Sequence, residues 1–363
     1  MKKIKIICIL VLLSLTITGC EKKEKQRHTP APAEIIVKET PTPTLSPIET
    51  PVETHEGMEK SKLTGLWVDK KIANRRPIAM MINNIKVASP QTGTGEASIL
   101  YEAVVEGGIT RMMALFEDIS GDRIGSVRSA RHYFVSFADE YDAIYAHFGQ
   151  TKYATAKIKE LKVDNLSGLE AIGSTVYYRD TSIRAPHNAF ASAKGVWKGI
   201  EKKGYPTELR ENMKNHFTFY EEDTDFTKGE SASKKITLGY SGYTSPYFTY
   251  NKKDKLYYRY QFDTPHMDKG TGKQLAFKNI ILQYVSYWTI DSKNGYQSMD
   301  IEDSKGEGLY ISNGKAMKIT WDKKESKKEM HYYDEEGNLL TINPGKTYIG
   351  LYPANHLEKL DIQ

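Results

Sequence analysis

The chain has 363 residues, of which 39% are hydrophobic and 27% are charged. This composition excludes a collagen-like, wholly disordered or disulfide-stapled protein, and a mean hydropathy of −0.55 with one long apolar run excludes a multi-span membrane protein. The length predicts two globular domains. The net charge of +5 falls to +2 without Lys2, Lys3 and Lys5 of a cleaved leader, since 48 basic residues then face 46 acidic ones. We therefore expect no nucleic-acid partner.

Residues 1–20 have the pattern of a bacterial lipoprotein signal peptide. A basic start precedes an apolar run from about Ile6 to Ile17, and the segment ends in ITGC at Cys20. The run is shorter than the roughly 20 residues that cross a bilayer, but it suits a secretory signal. The ending resembles a lipobox, so we predict diacylglycerol on Cys20 and a protein anchored at the outer face of the cytoplasmic membrane. An ordinary cleaved signal with an incidental cysteine is the alternative.

Cysteine usage agrees with this interpretation. The chain has two cysteines, of which Cys8 leaves with the signal and Cys20 carries the lipid. The mature chain then has no thiol for a disulfide, a metal site or nucleophilic catalysis.

Residues 21–63 are predicted to form a disordered tether. Residues 21–60 hold six of the 14 prolines and no aromatic residue. Such a segment cannot bury enough apolar surface to offset the entropy of ordering, and its proline-rich part favours extended polyproline II. We expect it to act as a spacer between the membrane and the folded part.

Residues 64–215 are predicted to form a mixed α/β sheet domain layered with helices. Continuous apolar runs typical of central strands occur at Pro77–Asn83, Met112–Phe116 and Ala143–Phe148. Apolar residues at helical spacing follow Ser129, Thr151 and Asn188, which we predict as the helix N-caps. The fold class is therefore α+β once the second half of the chain is included.

Residues 216–363 are predicted to form a smaller, mostly antiparallel β domain. Asn313-Gly314 between two apolar segments is a strong hairpin signal, and further turns are predicted at Asn294-Gly295 and Gly337-Asn338. Seven tyrosines lie between positions 240 and 260. They suit half-buried strands, with an aromatic face for a glycan or protein partner as the alternative.

Templates for common enzymes are missing from the sequence. We find no GxSxG elbow, no phosphate-binding loop and no complete dinucleotide fingerprint. The nine histidines do not occur at metal-ligand spacing, and Asp263–Asp268 is better interpreted as a polar loop. We therefore expect neither a cofactor nor a metal.

Three motifs carry a family resemblance. The sequence has YEAVVEGGITR at Tyr101–Arg111, GSVRSAR at Gly125–Arg131 and NPGKTYIGLYP at Asn343–Pro353. Together with PQTG, the leader and the tether, they resemble the YerB-like lipoproteins of Gram-positive bacteria. Ser126 and His132 depart from the more usual GPVRSARPYF, but both arginines of that motif are kept. The resemblance implies a mixed N-terminal domain, a smaller C-terminal β domain and a membrane location, and it implies no activity.

The same segment supplies the candidate site. We predict that a cleft of the N-terminal domain, bordered by the second domain, binds an anionic peptidoglycan fragment or envelope protein without catalysis. The candidate ligand-binding residues are Arg111, Arg128, Arg131, Glu102, Glu106, His132 and His147. If Ser129 caps the helix that follows, Arg128 and Arg131 both lie at its N-terminal end, and the unpaired N–H groups there favour a bound anion.

Two alternatives to an external ligand stay open. In the first, Glu102 or Glu106 neutralises the arginines from within the domain. In the second, the chain is a cell-wall enzyme that cleaves glycans with paired carboxylates, Glu106 with Glu102 or Asp139. The separation of the carboxylates discriminates between hydrolysis and binding, because paired carboxylates of glycosidases lie about 5–5.5 Å or about 6.5–9.5 Å apart across an open cleft.

Overall fold

The computed structural model describes residues 55–210, 216–324 and 329–363. The predicted signal peptide, Cys20 and the tether up to residue 54 lie outside these ranges. None of the described helices is long and apolar enough to cross a bilayer. The described residues belong to one compact unit, Thr54–Gln363.

The first half of this unit alternates strands and helices. Its elements are β1 (Met58–Lys60), β2 (Trp67–Asp69), α1 (Lys70–Ala73), β3 (Ile78–Asn84), β4 (Ile99–Val104), β5 (Thr110–Phe116), β6 (Ile124–Gly125), α2 (His132–Glu140), β7 (Ile144–His147), α3 (Lys152–Leu161), β8 (Asn165–Ser167), α4 (Gly173–Val176), β9 (Tyr177–Arg179), β10 (Ala189–Ala191) and α5 (Ala193–Lys203). The sequence predicts that the first domain starts at residue 64. The fold begins earlier, because it includes β1 and the buried Leu63.

The described part of the second half consists of strands joined by turns and one 3-10 segment. The strands are β11 (Thr218–Phe219), β12 (Glu230–Ser231), β13 (Lys235–Leu238), β14 (Tyr247–Asn251), β15 (Leu256–Gln261), β16 (Thr264–Pro265), β17 (Ala276–Phe277), β18 (Asn279–Val285), β19 (Tyr287–Asp291), β20 (Tyr296–Met299), β21 (Ser304–Ser312), β22 (Lys315–Lys323), β23 (His331–Tyr333), β24 (Thr341–Ile342), β25 (Thr347–Pro353) and β26 (Leu360–Ile362). The hairpin predicted at Asn313-Gly314 joins β21 to β22, with both residues at positive φ.

Strands from both halves share one sheet. Eleven described strands form it in the order β12-β22-β21-β18-β25-β4-β5-β3-β7-β8, with β23 paired to β22. The halves join where β25 runs parallel to β4, from Thr347 opposite Ile99 to Leu351 opposite Ala103. The predicted domain boundary at residue 215 falls in 211–215, outside the described residues. The α+β class predicted from the sequence is confirmed.

The central strands are buried on both faces, as their continuous apolar runs predicted. Every residue of β3, β4 and β5 is buried. One face packs against α2, where Phe134 and Phe137 enter the core. The other face packs against α5 and a second sheet, through residues such as Ile200, Phe248 and Tyr257. This arrangement leaves the sheet edges and the loops beyond the strand ends as the places for a ligand.

Helix starts were predicted with mixed success. Thr151 caps α3 as expected, because its hydroxyl accepts a hydrogen bond from Ala154 N. The prediction that Ser129 caps α2 is wrong: Arg131 is the N-cap residue, and Ser129 Oγ donates to Phe148 O at 3.2 Å. The cap predicted at Asn188 is also wrong. Residues 189–191 pair as β10, so α5 begins later and Ser192 caps it.

The predicted tyrosine cluster lies mainly in the second sheet, whose order is β16-β15-β14-β13-β26, with β17 paired to β15. Tyr240 and Tyr257 are buried in the core between the sheets. Tyr247 and Tyr260 lie opposite each other on β14 and β15, and their rings stack with centroids 4.5 Å apart. Tyrosines therefore fill and cover this sheet, as half-buried strands require.

Candidate functional site

The candidate site lies at one edge of the central sheet. Strands β3, β4 and β7 all run in the same direction, since β3 pairs parallel with β7 and both β3 and β4 pair antiparallel with β5. Their carboxyl ends, Asn84, Val104 and His147, therefore lie at the same edge. Helices α2 and α3 begin at this edge too, because Phe148 N donates to Arg128 O and Ala130 N donates to Gly149 O. Carboxyl edges of this kind commonly hold ligands in α/β sheets.

A tight turn after β4 positions the first acidic residue. Gly107 and Gly108 have φ values of 67° and 70°, a left-handed conformation that favours glycine. The turn is closed by Val105 N donating to Ile109 O at 2.8 Å, and the chain then enters β5. As a result, Glu106 in the turn lies beside Arg111 on β5, with Oε2 3.9 Å from Nη2.

An extended segment before α2 brings in two more arginines. Arg128 N donates to Met81 O at 3.0 Å, which fixes the segment against β3. Arg131 Nη2 forms an ion pair with Glu106 Oε1, and Arg131 Nη1 donates to Ala130 O at 2.8 Å. Arg128 Nη1 donates to Pro186 O at 2.9 Å. We call Arg111, Arg128, Arg131 and Glu106 the arginine cluster.

The arginine cluster carries excess positive charge in a poorly solvated place. Burial, together with the neighbouring Arg131, lowers the pKa of Arg111 to about 9. Burial and Arg131 also lower the pKa of Arg128. The Nε atoms of Arg128 and Arg131 are buried without a hydrogen-bond partner among the described residues. Three guanidinium groups facing one carboxylate favour the binding of a further negative charge.

A hairpin from the second half of the chain covers one side of the cluster. The guanidinium of Arg131 lies 5.5 Å from the ring centroid of Tyr296 on β20. His132 Nε2 is 2.9 Å from Ser298 Oγ, also on β20. Burial lowers the pKa of His132 to about 4, so this imidazole is neutral at pH 7. The sequence predicted the Asn294-Gly295 turn of this hairpin but carried no signal for its contact with α2.

Glu102 does not join the arginine cluster. Side chains alternate along β4, so Tyr101 and Ala103 face the core beneath α2 while Glu102 faces the second sheet. There Glu102 accepts hydrogen bonds from Arg259 at 2.7 Å and from Tyr348, Asn84 and Thr110 at 2.6–2.8 Å. The Glu102 and Arg259 side chains are fully buried. The prediction that Glu102 neutralises the arginines or shares their ligand is therefore wrong.

Among the described residues, neither Glu102 nor Asp139, the two carboxylates predicted to pair with Glu106 for glycan cleavage, lies beside it. Glu102 lies on the opposite face of the sheet and is sealed from solvent. Asp139 is eight residues after Arg131 in α2, which places its Cα about 12 Å along the helix from the end where Glu106 binds. This geometry gives no support to a glycosidase that uses Glu106 with either partner.

His147 lies beneath the cluster and is fully buried. Its Nδ1 is 2.8 Å from Gly149 O, and its Nε2 is 3.3 Å from Asn165 Oδ1. Burial lowers its pKa, so the ring is neutral and positions the loop after β7. Within the part of the chain that the structure describes, no group of three or more His, Cys, Asp or Glu side chains could hold a metal ion.

The family of this chain follows from its similarity to known proteins. The family model described as "Protein of unknown function (DUF3048) N-terminal domain" matches residues 63–206, and its C-terminal domain matches residues 236–349. The chain therefore belongs to the DUF3048 family. It is 34% identical over 295 residues to "Putative lipoprotein YerB" of Bacillus subtilis strain 168, covering 81% of this chain and 86% of that protein. The resemblance to YerB-like lipoproteins is thereby confirmed.

The fold is also similar to a solved structure. The crystal structure of the YerB protein from Bacillus subtilis matches with a TM-score of 0.74 at 30% sequence identity. The match covers 84% of this chain and 99% of the other. At this coverage the likeness extends over both halves of the chain.

Proposed function

We propose that this chain is a lipoprotein held by diacylglycerol on Cys20 at the outer face of the cytoplasmic membrane, where the arginine cluster binds an anionic envelope ligand without catalysis. The ligand is a peptidoglycan fragment or an acidic surface of an envelope protein. The name of the Bacillus subtilis relative and the ITGC ending of the leader support the anchor. Two lipid chains on one cysteine suffice for stable attachment.

The charge balance of the arginine cluster carries the binding part of this proposal. Glu106 pairs with Arg131 and lies 3.9 Å from Arg111, and Arg128 is left with a backbone carbonyl as its hydrogen-bond acceptor. The internal carboxylate of Glu106 thus neutralises part of the positive charge. The positive charge that remains favours binding of a carboxylate or phosphate of a ligand. The position at the carboxyl edge of parallel strands supports the same conclusion.

Anion binding is tested with the full chain in detergent, using acetate and inorganic phosphate as probes at constant ionic strength. We expect both anions to raise the melting temperature and Arg128→Gln to remove this effect. Arg184→Gln is the matched control, because it removes the same charge at an exposed position of the neighbouring loop. A cluster that is purely structural gives no anion effect in any of these proteins, and Arg128→Gln then only lowers stability.

The anchor is tested separately in cells by metabolic labelling with a palmitate analogue. Cys20→Ala should abolish labelling, because the thiol is the acylation site. Cys8→Ala, within the apolar part of the leader, should leave labelling intact. Equal labelling of the wild type and Cys20→Ala would refute the anchor.

A further inference from the structure

The hairpin beside the arginine cluster presents aromatic rings on one face. Trp288 on β19 lies directly opposite Ser298 on β20, so both side chains are on the same face of the hairpin. Tyr296 is two residues before Ser298 on β20 and shares that face. Because Ser298 Oγ contacts His132 at the start of α2, this is the face turned toward the arginine cluster.

The hairpin is held in place by several contacts. Tyr153 on α3 donates to Ile290 O at 3.3 Å, and Lys152 Nζ lies 3.5 Å from a carboxylate oxygen of Asp291. The rings of Tyr153 and Tyr296 meet edge to face, with centroids 6.5 Å apart. The aromatic face therefore has a fixed position relative to the cations of the cluster.

Trp288 is the open member of this face. Its side chain is 48% exposed, although tryptophan is usually well buried. Tyr296 is half-buried, and one side of its ring is already covered by Arg131. The open indole lies on the face turned toward the arginine cluster, in which Arg128 is half-buried and Arg111 and Arg131 are buried. The indole offers a flat apolar surface, and the cluster offers a positive charge.

We propose that the anionic ligand of this site is an acidic sugar, whose ring packs on Trp288 beside Tyr296 while its carboxylate or phosphate binds the arginine cluster. This inference rests on the proposed function, since it names the class of ligand that the same cluster binds outside the membrane. A pyranose ring presents C–H groups on one face, which pack against an indole, and hydroxyl groups at its edge, which stay hydrated. The acid group supplies the charge that Arg128 and Arg131 attract.

The test separates the ring from the acid. The full chain in detergent is titrated with N-acetylmuramic acid, with N-acetylglucosamine, which has the ring without the acid, and with lactate, which has the acid without the ring. We expect N-acetylmuramic acid to bind at least tenfold more tightly than either fragment and to change tryptophan fluorescence. Trp288→Ala should lower its affinity about tenfold and leave lactate binding unchanged. Trp67→Ala, which removes another exposed indole, should change neither.

Each outcome bears on a different part of the proposal. If lactate binds and Arg128→Gln abolishes its binding, but Trp288→Ala has no effect on N-acetylmuramic acid, the acidic-sugar assignment is wrong and anion binding stands. If none of the acids binds, anion binding at the cluster is wrong as well. Uridine monophosphate, an aromatic base with a phosphate, is the competing class. If this nucleotide binds more tightly than N-acetylmuramic acid, the acidic-sugar assignment is wrong and the ligand class is a nucleotide.

Discussion

Replacing Glu106 by glutamine removes the carboxylate that pairs with two of the three arginines of the arginine cluster. The substitution keeps the size of the side chain and the turn at Gly107 and Gly108. It leaves the guanidinium groups of Arg111 and Arg131 without their counter-charge in a poorly solvated place. We expect the folded state to lose stability and the cluster to bind anions more tightly.

The size of this effect can be estimated from the geometry. The Glu106 side chain is 20% exposed, and its Oε2 lies 3.9 Å from Arg111 Nη2. At an effective dielectric constant of about 20, two unit charges at this distance attract by about 4 kcal/mol. Losing the charge also removes the cost of desolvating it, so the free energy of unfolding should fall by about 3 kcal/mol. For a unit of this size that corresponds to a melting temperature about 5 °C lower.

Thermal unfolding followed by circular dichroism measures this change, with and without sulfate at matched ionic strength. Sulfate should stabilise Glu106→Gln more than the wild type, because it replaces the missing negative charge. Glu201→Gln, at an exposed position on α5, is the matched control and should change neither value. A loss below about 1 kcal/mol, or equal stabilisation of both proteins by sulfate, would show that Glu106 does not neutralise the cluster.

Four further substitutions test the surrounding structure. The pKa of His132 is about 4 in the folded chain and about 6.5 in the unfolded chain, so the wild type should lose stability as pH falls from 6.5 toward 4. Urea titrations at pH 7 and pH 5 measure this loss. Between these two pH values the free energy of unfolding of His132→Gln should fall by about 2 kcal/mol less than that of the wild type. Glu102→Gln should lower the free energy of unfolding by about 3 kcal/mol, because it leaves the buried Arg259 without its counter-charge. The anion affinity of the folded protein should stay unchanged. A weakened anion affinity would show that Glu102 takes part in anion binding. Thr151→Ala should lower the free energy of unfolding by about 1 kcal/mol, because it removes the cap of α3, and Ser129→Ala should lower it clearly less. Equal losses in urea titrations would show that Ser129 caps a helix after all.

The amino-acid sequence by itself determined the features that depend on neighbouring residues. Continuous apolar runs identified β3, β5 and β7, since a strand covered on both faces needs apolar side chains at every position. The Asn313-Gly314 turn and the Thr151 cap were predictable because a left-handed turn and a helix start each demand particular residues in one place. The motifs around Glu106 and the arginines also identified the family.

Only the tertiary structure decided which polar residues meet. Glu102 and Glu106 are four residues apart, yet the strand alternation ends at Val104 and the turn after it sends Glu106 to the other face from Glu102. The partner of Glu102 is Arg259, 157 positions away, and it arrives because the second sheet packs on that face. The aromatic face of the hairpin reaches the arginine cluster through the pairing of β18 with β25 and of β25 with β4. Contacts of such long range depend on how strands pair and sheets stack, and local sequence patterns do not encode that choice.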